Sequence, residues 1–317
     1  MTTTAQRRVA ALAGYVSALP TPFRGERIDH ESFADLCEWQ IGQGISGFVV
    51  NGTTGEAPAL AIGEQRLLIR LAVQIADDRV PVIAGAGSAS TAHAIELAKS
   101  AASASADGIL ATTPYYVRPS QEGIYRHFRA LHDAVELPII LYDVPSRTAS
   151  TIAKDTLCRL AELSRIAGLK DATGDLSRIK LLREKIDRRF RWLSGDDATA
   201  LDFMALGGHG CISVLSNVVP RRCVELYQAH SRGDLHRARA VARELAPLTA
   251  ALFAESNPVP VKYALGVMGR MVGDVRLPLA PASQGTRKAV EDALANLGLL
   301  TLRARKERAH DALPLSQ

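Results

Sequence analysis

Eight short apolar runs, many of them β-branched, recur at roughly even intervals along the first two thirds of the chain. They are Tyr15-Val-Ser-Ala-Leu19, Gly47-Phe-Val-Val-Asn51, Val80-Pro-Val-Ile-Ala84 and Gly108-Ile-Leu-Ala-Thr112, then Pro138-Ile-Ile-Leu-Tyr142, Ile166-Ala-Gly-Leu-Lys170, Phe190-Arg-Trp-Leu-Ser194 and Cys211-Ile-Ser-Val-Leu215. Runs this short, apolar throughout, suit strands buried on both faces, as in a parallel sheet. Helical patterns fill the gaps. Asp29 can cap a helix that turns Phe33, Leu36, Cys37 and Ile41 to one side and stops at Gly42 and Gly44. Thr91, Ser120, Ser150 or Thr151, Asp175 and Asp197 stand before further such patterns.

Eight strands alternating with helices predict an α/β fold, a (β/α)8 TIM barrel. After Leu215 the strand rhythm ends, and the rest reads as a three-helix C-terminal extension broken at Ser256-Asn-Pro-Val-Pro260 and Leu277-Pro-Leu-Ala-Pro281. The expected division is a catalytic barrel over residues 1–231 and a helical domain over 232–317. A doubly wound open sheet is the alternative. It lacks its glycine-rich turn, since Gly85-Ala-Gly-Ser-Ala-Ser90 stops short of a third glycine.

Composition narrows the function classes. With 317 residues, 47% hydrophobic and 22% charged, the chain can build a full-sized core. The net charge of +5 is mild and its arginines are spread over helices. The densest basic stretch, Arg303-Ala-Arg-Lys-Glu-Arg308, reads as a solvated end, so no nucleic-acid partner is expected. The four cysteines form no CxxC and suit reduced, buried thiols of a cytoplasmic protein. No apolar run approaches the roughly 18 residues of a membrane span. The start, Arg7-Arg8-Val-Ala-Ala-Leu-Ala-Gly14, superficially resembles a twin-arginine signal, but its apolar part is short and runs straight into a strand.

In barrel enzymes chemistry sits at the C-terminal strand ends. Lys170 ends the sixth run. Strand alternation places it with Ile166, Gly168 and Ala172 on one face, in an apolar surround that favours the free amine a Schiff base needs. The bland reading is a lysine that snorkels to solvent. The loop Gly52-Thr-Thr-Gly-Glu56 offers hydroxyls and backbone N–H groups to a carboxylate, or is merely a capped turn. Tyr115 and Tyr116 open the loop after the fourth strand, as site or packing residues. Tyr142 ends the fifth strand, where a phenol beside a lysine can shuttle protons. Arg147 follows at the loop tip and suits a substrate carboxylate or a surface ion pair. Lys262, in an apolar stretch at a helix start, is the rival nucleophile. Asp196 and Asp197 are candidate acids, with Asp197 better explained as a helix cap. No HxH or HExxH pair supports a metal, and the loops after strands seven and eight lack phosphate-site glycines. No metal or organic cofactor is implied.

Four stretches together resemble the dihydrodipicolinate synthase and N-acetylneuraminate lyase superfamily of class I aldolases. They are Gly52-Thr-Thr-Gly-Glu56, Tyr115-Tyr-Val-Arg-Pro-Ser-Gln-Glu-Gly123, Tyr142-Asp-Val-Pro-Ser-Arg-Thr148 and Gly168-Leu-Lys-Asp-Ala-Thr-Gly174. The resemblance implies that Lys170 forms the Schiff base with pyruvate, that Tyr142 moves its protons, and that Thr54 is the relay partner. It implies that Tyr116 reaches the relay of a neighbouring subunit, that Thr53 and Thr54 hold the pyruvate carboxylate, and that Ile212 lines the pyruvate pocket. Serine and arginine after Val144-Pro145 resemble the synthase branch, where the arginine holds the carboxylate of aspartate semialdehyde. The implied activity is condensation of pyruvate with L-aspartate 4-semialdehyde to 4-hydroxy-tetrahydrodipicolinate, by a homotetramer built as a dimer of dimers.

Three other readings compete: a related aldolase or dehydratase acting on a sugar-derived 2-keto acid, a nicotinamide-dependent reductase with a Tyr–Lys pair, and a silent keto-acid binder. Arg147 disfavours the first, the missing phosphate-site signals the second, and retention of both Lys170 and Tyr142 the third. The chain also departs from the family pattern. Asp143 replaces the usual asparagine. Where the family's lysine-feedback site expects asparagine and glutamate, the chain carries Ala89 and His93, and the helix after Glu56 begins Ala57-Pro-Ala-Leu60 without the expected serine and histidines. Weak or absent inhibition by lysine is therefore expected in a titration of activity, and strong sub-millimolar inhibition would contradict it.

Overall fold

The computed structural model describes residues 4–300. Eight parallel strands close into a barrel. They are β1 (Gly14–Ala18), β2 (Gly47–Val50), β3 (Val82–Gly85), β4 (Gly108–Thr112), β5 (Ile139–Asp143), β6 (Ile166–Asp171), β7 (Arg191–Ser194) and β8 (Gly210–Ser213). Each pairs with the next, and β8 returns to β1, with Val16 opposite Ile212. Closure removes the doubly wound alternative, which has two free edges. The helices Leu235–Leu252, Val259–Val267 and Gln284–Asn296 follow the barrel. No helix among the described residues is long and apolar enough to cross a membrane. The basic stretch 303–308 lies outside the described residues.

Strand alternation splits the core into two layers. Val16, Val49, Ile83, Leu110, Ile140, Leu193 and Ile212 fill the barrel interior. Their neighbours, among them Tyr15, Phe48, Ile109, Leu141, Leu169 and Trp192, pack outward against the helices. Val9 and Leu12, from the short helix Thr4–Ala10 and the turn after it, join the interior cluster. Arg8 on that helix pairs with Asp107 at 3.1 Å.

The β6 alternation departs from expectation. Ile139 pairs with Ile166 but Ile140 pairs with Gly168, so Ala167 is an extra residue. Ile166 therefore packs in the outer layer and does not share the face of Lys170. Several caps also differ. Asp29 and Ser120 cap as expected, accepting from the amides of Ser32 and Gly123 at 3.1 and 3.3 Å. Ser90, not Thr91, caps the helix Thr91–Ser103. Ala153 precedes the helix Lys154–Ala161, because the Thr151 hydroxyl is committed to Asp143 at 2.9 Å. Asp175 accepts from the Ser177 amide at 2.9 Å, one turn before the pattern it was expected to open.

His127 lies buried between the helices Thr91–Ser103 and Gln121–Ala134, its Nδ1 hydrogen-bonded to Thr91 Oγ1 at 3.0 Å. Burial pushes its pKa from 6.5 down to about 4. The folded chain thus keeps the ring neutral where the unfolded chain takes up a proton. The associated stability is complete above about pH 6.5 and is lost as pH falls toward about 4. Denaturant unfolding at both ends of that window should show native protein losing about 3 kcal/mol more than His127→Gln. Equal losses in the two proteins would remove His127 from the acid response.

Candidate active site

Tyr142 and Lys170 lie directly opposite each other at the C-terminal ends of β5 and β6. Both point into the barrel, and the Lys170 ammonium sits 4.2 Å from the centre of the Tyr142 ring. Lys170 is only 6% exposed, so it does not snorkel. The next strand end leaves room for its stem: a β-carbon on Gly195 would lie 3.1 Å from Lys170 Cγ and Cε. Ile212 forms part of the same interior wall.

The loop 52–56 leaves β2 through a tight turn. Asn51 and Glu56 flank it with φ of 56° and 54°, left-handed values uncommon outside glycine. The turn fits because Gly85 on β3 has no side chain; a β-carbon there would meet the Asn51 carbonyl oxygen at 1.9 Å. Thr53 faces a cavity of about 400 Å³ shared with Tyr142, Arg147, Tyr115 and Asn257. Thr54 is buried, and its hydroxyl accepts from Asn257 Nδ2 at 2.9 Å. Arg147 sits on the one-turn helix Pro145–Thr148 and donates to the Asn257 carbonyl at 3.3 Å. No acidic side chain of the described residues pairs with it, so its charge remains free for a ligand.

Tyr116 is not gathered into this cluster. It is 90% exposed and has a φ of 70° on a loop that projects from the barrel. Within one chain the structure thus places Thr53, Tyr142 and Arg147 in the wall of one cavity, with Lys170 against the Tyr142 ring, Thr54 held by Asn257 and Ile212 in the interior cluster with Tyr142, and it leaves Tyr116 exposed.

Three readings change. Lys262 is fully buried and donates to Glu56 at 2.5 Å, with Phe23 stacked 4.1 Å below it. Burial pushes this ammonium's pKa down and Glu56 pulls it back up. A lysine held by a carboxylate is a structural anchor, not a nucleophile. Glu56 caps nothing with its side chain; its second oxygen accepts from the Arg276 amide at 2.9 Å. Asp197 is not a helix cap either. It is half-buried against the end of β8, where it accepts from Ser213 Oγ at 2.5 Å and from the amides of Val214 and Leu215. Thr199 precedes the helix Ala200–Ala205, and Asp196 accepts from its hydroxyl at 2.8 Å.

Asn257 is the site residue that sequence reading missed. Its stretch, Ser256-Asn-Pro-Val-Pro260, reads as a helix break, and only the folded chain carries it back to Thr54 and Arg147. A polar residue held between a break and an apolar helix start was the available signal.

Residues 11–297 match the model of the Dihydrodipicolinate synthetase family. A 4-hydroxy-tetrahydrodipicolinate synthase of Methylobacterium radiotolerans is 48% identical over 289 residues, covering 91% of this chain and 97% of that one. Another, of Rhodospirillum centenum, is 49% identical over 288 residues, covering 91% and 99%. Among solved structures, a chloride-inhibited dihydrodipicolinate synthase from Acinetobacter baumannii complexed with pyruvate superposes with a TM-score of 0.88 at 42% identity, over 91% of this chain and 99% of that one. A monomeric dihydrodipicolinate synthase variant gives 0.90 at 38% identity, over 92% and 99%.

The Glu56–Lys262 pair sets a stability test. Lys262→Met leaves the Glu56 carboxylate buried without its cation and should lower unfolding stability by about 3–5 kcal/mol. Glu56→Gln/Lys262→Met should recover much of that loss in the same denaturant titration, and no recovery would mean the lysine acts through its packing alone.

Proposed function

The chain belongs to the dihydrodipicolinate synthetase family, and from that premise we propose that it condenses pyruvate with L-aspartate 4-semialdehyde to 4-hydroxy-tetrahydrodipicolinate. The observation that carries the reading is the inward-facing pair at the β5 and β6 ends, with the Lys170 ammonium 4.2 Å from the Tyr142 ring. Buried beside an aromatic face, the lysine packs its amine against Tyr142, whose side chain lines the same cavity as Thr53 and Arg147.

In this reading the pyruvate carboxylate docks on the loop 52–56, whose Thr53 and Thr54 offer donors. The Lys170 amine adds to the ketone, and loss of water leaves an imine. A proton then leaves the pyruvate methyl group, giving an enamine, with Tyr142 and Thr54 moving it. The enamine carbon attacks the aldehyde carbon of the semialdehyde, whose carboxylate Arg147 binds as a fork. The semialdehyde's own amine next attacks the imine carbon, closing the ring and freeing Lys170.

Asn257 supports the geometry from the C-terminal helices, tying Thr54 to the loop that carries Arg147 through its two hydrogen bonds. Tyr116, exposed and in a strained conformation, suits a residue completed by a neighbouring subunit, so the working form is at least a dimer, with a dimer of dimers as the full assembly. The proposed compartment is the cytoplasm. The division at residues 231 and 232 keeps Lys170, Tyr142 and Arg147 in the barrel part and the anchors Asn257 and Lys262 in the helical part.

Purified protein should consume pyruvate only when the semialdehyde is present. Borohydride with pyruvate alone should add the reduced pyruvyl mass to the peptide carrying Lys170. Lys170→Ala should lose both the trapped mass and at least about a thousandfold in kcat. Consumption with a sugar-derived aldehyde, but not with the semialdehyde, would instead favour the 2-keto acid aldolase.

A further inference from the structure

The strand register that pairs Tyr142 with Lys170 also pairs the residues after them, Asp143 with Asp171. Alternation turns the first pair into the barrel and the second pair outward, toward the helices. Two carboxylates therefore lie side by side in the protein interior, Asp143 at 0% and Asp171 at 6% exposure. One guanidinium meets both. Arg178, on the short helix Ser177–Leu182 and itself buried, donates through Nη1 to Asp143 Oδ2 at 2.8 Å and lies 3.4 Å from Asp171 Oδ2. Its Nη2 donates to the Ile152 carbonyl at 2.9 Å.

Asp143 Oδ2 also accepts from the Thr151 hydroxyl and the Ile152 amide at 2.9 and 3.0 Å. Asp171 Oδ1 accepts from the Thr173 amide and hydroxyl at 2.9 and 2.6 Å. Asp143 Oδ1 and Asp171 Oδ2 accept no hydrogen bond. Burial pushes the Asp143 carboxyl's pKa up and Arg178 pulls it back down. The other charges nearby, Asp175 and Lys154, are exposed.

We propose that Arg178 is a positioning residue: by clamping Asp143 and Asp171 it fixes the spacing of Tyr142 and Lys170, one residue earlier on each strand. Without a cation, two buried carboxylates on adjacent strands either share a proton or push the strand ends apart. Either change is transmitted to the inward pair through a single Cα on each strand. The tyrosine-to-lysine distance is what the proton transfer depends on, and a shift of about 1 Å can lower a rate about a hundredfold. This inference rests on the Lys170 imine reading above.

The test is the rate of borohydride-trapped pyruvate on Lys170, with kcat and KM measured across pH. Arg178→Gln should trap and turn over about a hundredfold more slowly at neutral pH, with the KM for pyruvate little changed. The defect should shrink as pH falls, because a proton shared by Asp143 and Asp171 replaces the missing cation. Arg178→Lys should recover part of the rate. Asp143→Asn/Arg178→Gln should recover most of it, since the new amide can donate to Asp171 across the strand pair. If Arg178→Gln does not fold, the double variant decides. Folded by circular dichroism and near native in trapping, it supports the clamp; folded and still about a hundredfold slow, it overturns it. Native trapping with an unchanged Arg178→Gln rate overturns this inference alone. A native chain that traps no pyruvate overturns the Lys170 reading and this inference with it.

Discussion

In a parallel sheet, residues that lie opposite each other on neighbouring strands also point to the same side, and the pairing of Tyr142 with Lys170 is the constraint on which the candidate site depends. Both side chains enter the barrel because both follow the alternation that sends Ile140 inward and Leu141 and Leu169 outward. The extra residue at Ala167 corrects the phase of β6. Without it regular alternation would turn Ile166 to the interior with Gly168 and Lys170. A bulge at the strand's beginning thus lets the outer packing of Ile166 coexist with an inward Lys170.

Buried charge is the second theme. Burying an ion is unfavourable unless a partner and hydrogen bonds replace its water. The chain meets that condition at two places around the strand ends. Glu56 takes Lys262 and the Arg276 amide, which holds the left-handed turn of the threonine loop against the C-terminal helices. Asp143 and Asp171 share Arg178, which ties two strand ends to the helix after them. Lys170 differs from these groups. It is buried, yet it meets the Tyr142 ring instead of a carboxylate, which suits an amine nucleophile.

The barrel was legible because its signal is repeated. Eight apolar runs, each short and each followed by an amphipathic pattern, leave few closed arrangements. Lys170, Tyr142, Thr53, Thr54 and Arg147 were legible for a related reason, since each sits where a run ends and barrel chemistry gathers at those ends. The caps were less legible. Thr151 and Asp197 are good capping residues locally, but each is taken by a partner outside the helix it precedes, Asp143 and the β8 end respectively. Local propensity describes what a side chain can do, and tertiary contacts select among its options.

What the sequence alone determined is the order of the barrel strands and helices, and where each strand ends to within a residue or two. Those follow from periodicity and turn chemistry, which act over a few residues. The tertiary structure decided which of two lysines in apolar surroundings is free. Lys170 and Lys262 look alike along the chain, and only folding brings Glu56 to Lys262 and the Tyr142 ring to Lys170. It also decided that Asn257, far along the chain, completes the strand-end cluster. Both outcomes depend on which charges and donors meet across long sequence separations, and a buried group's chemistry is set by that company and not by its neighbours in sequence.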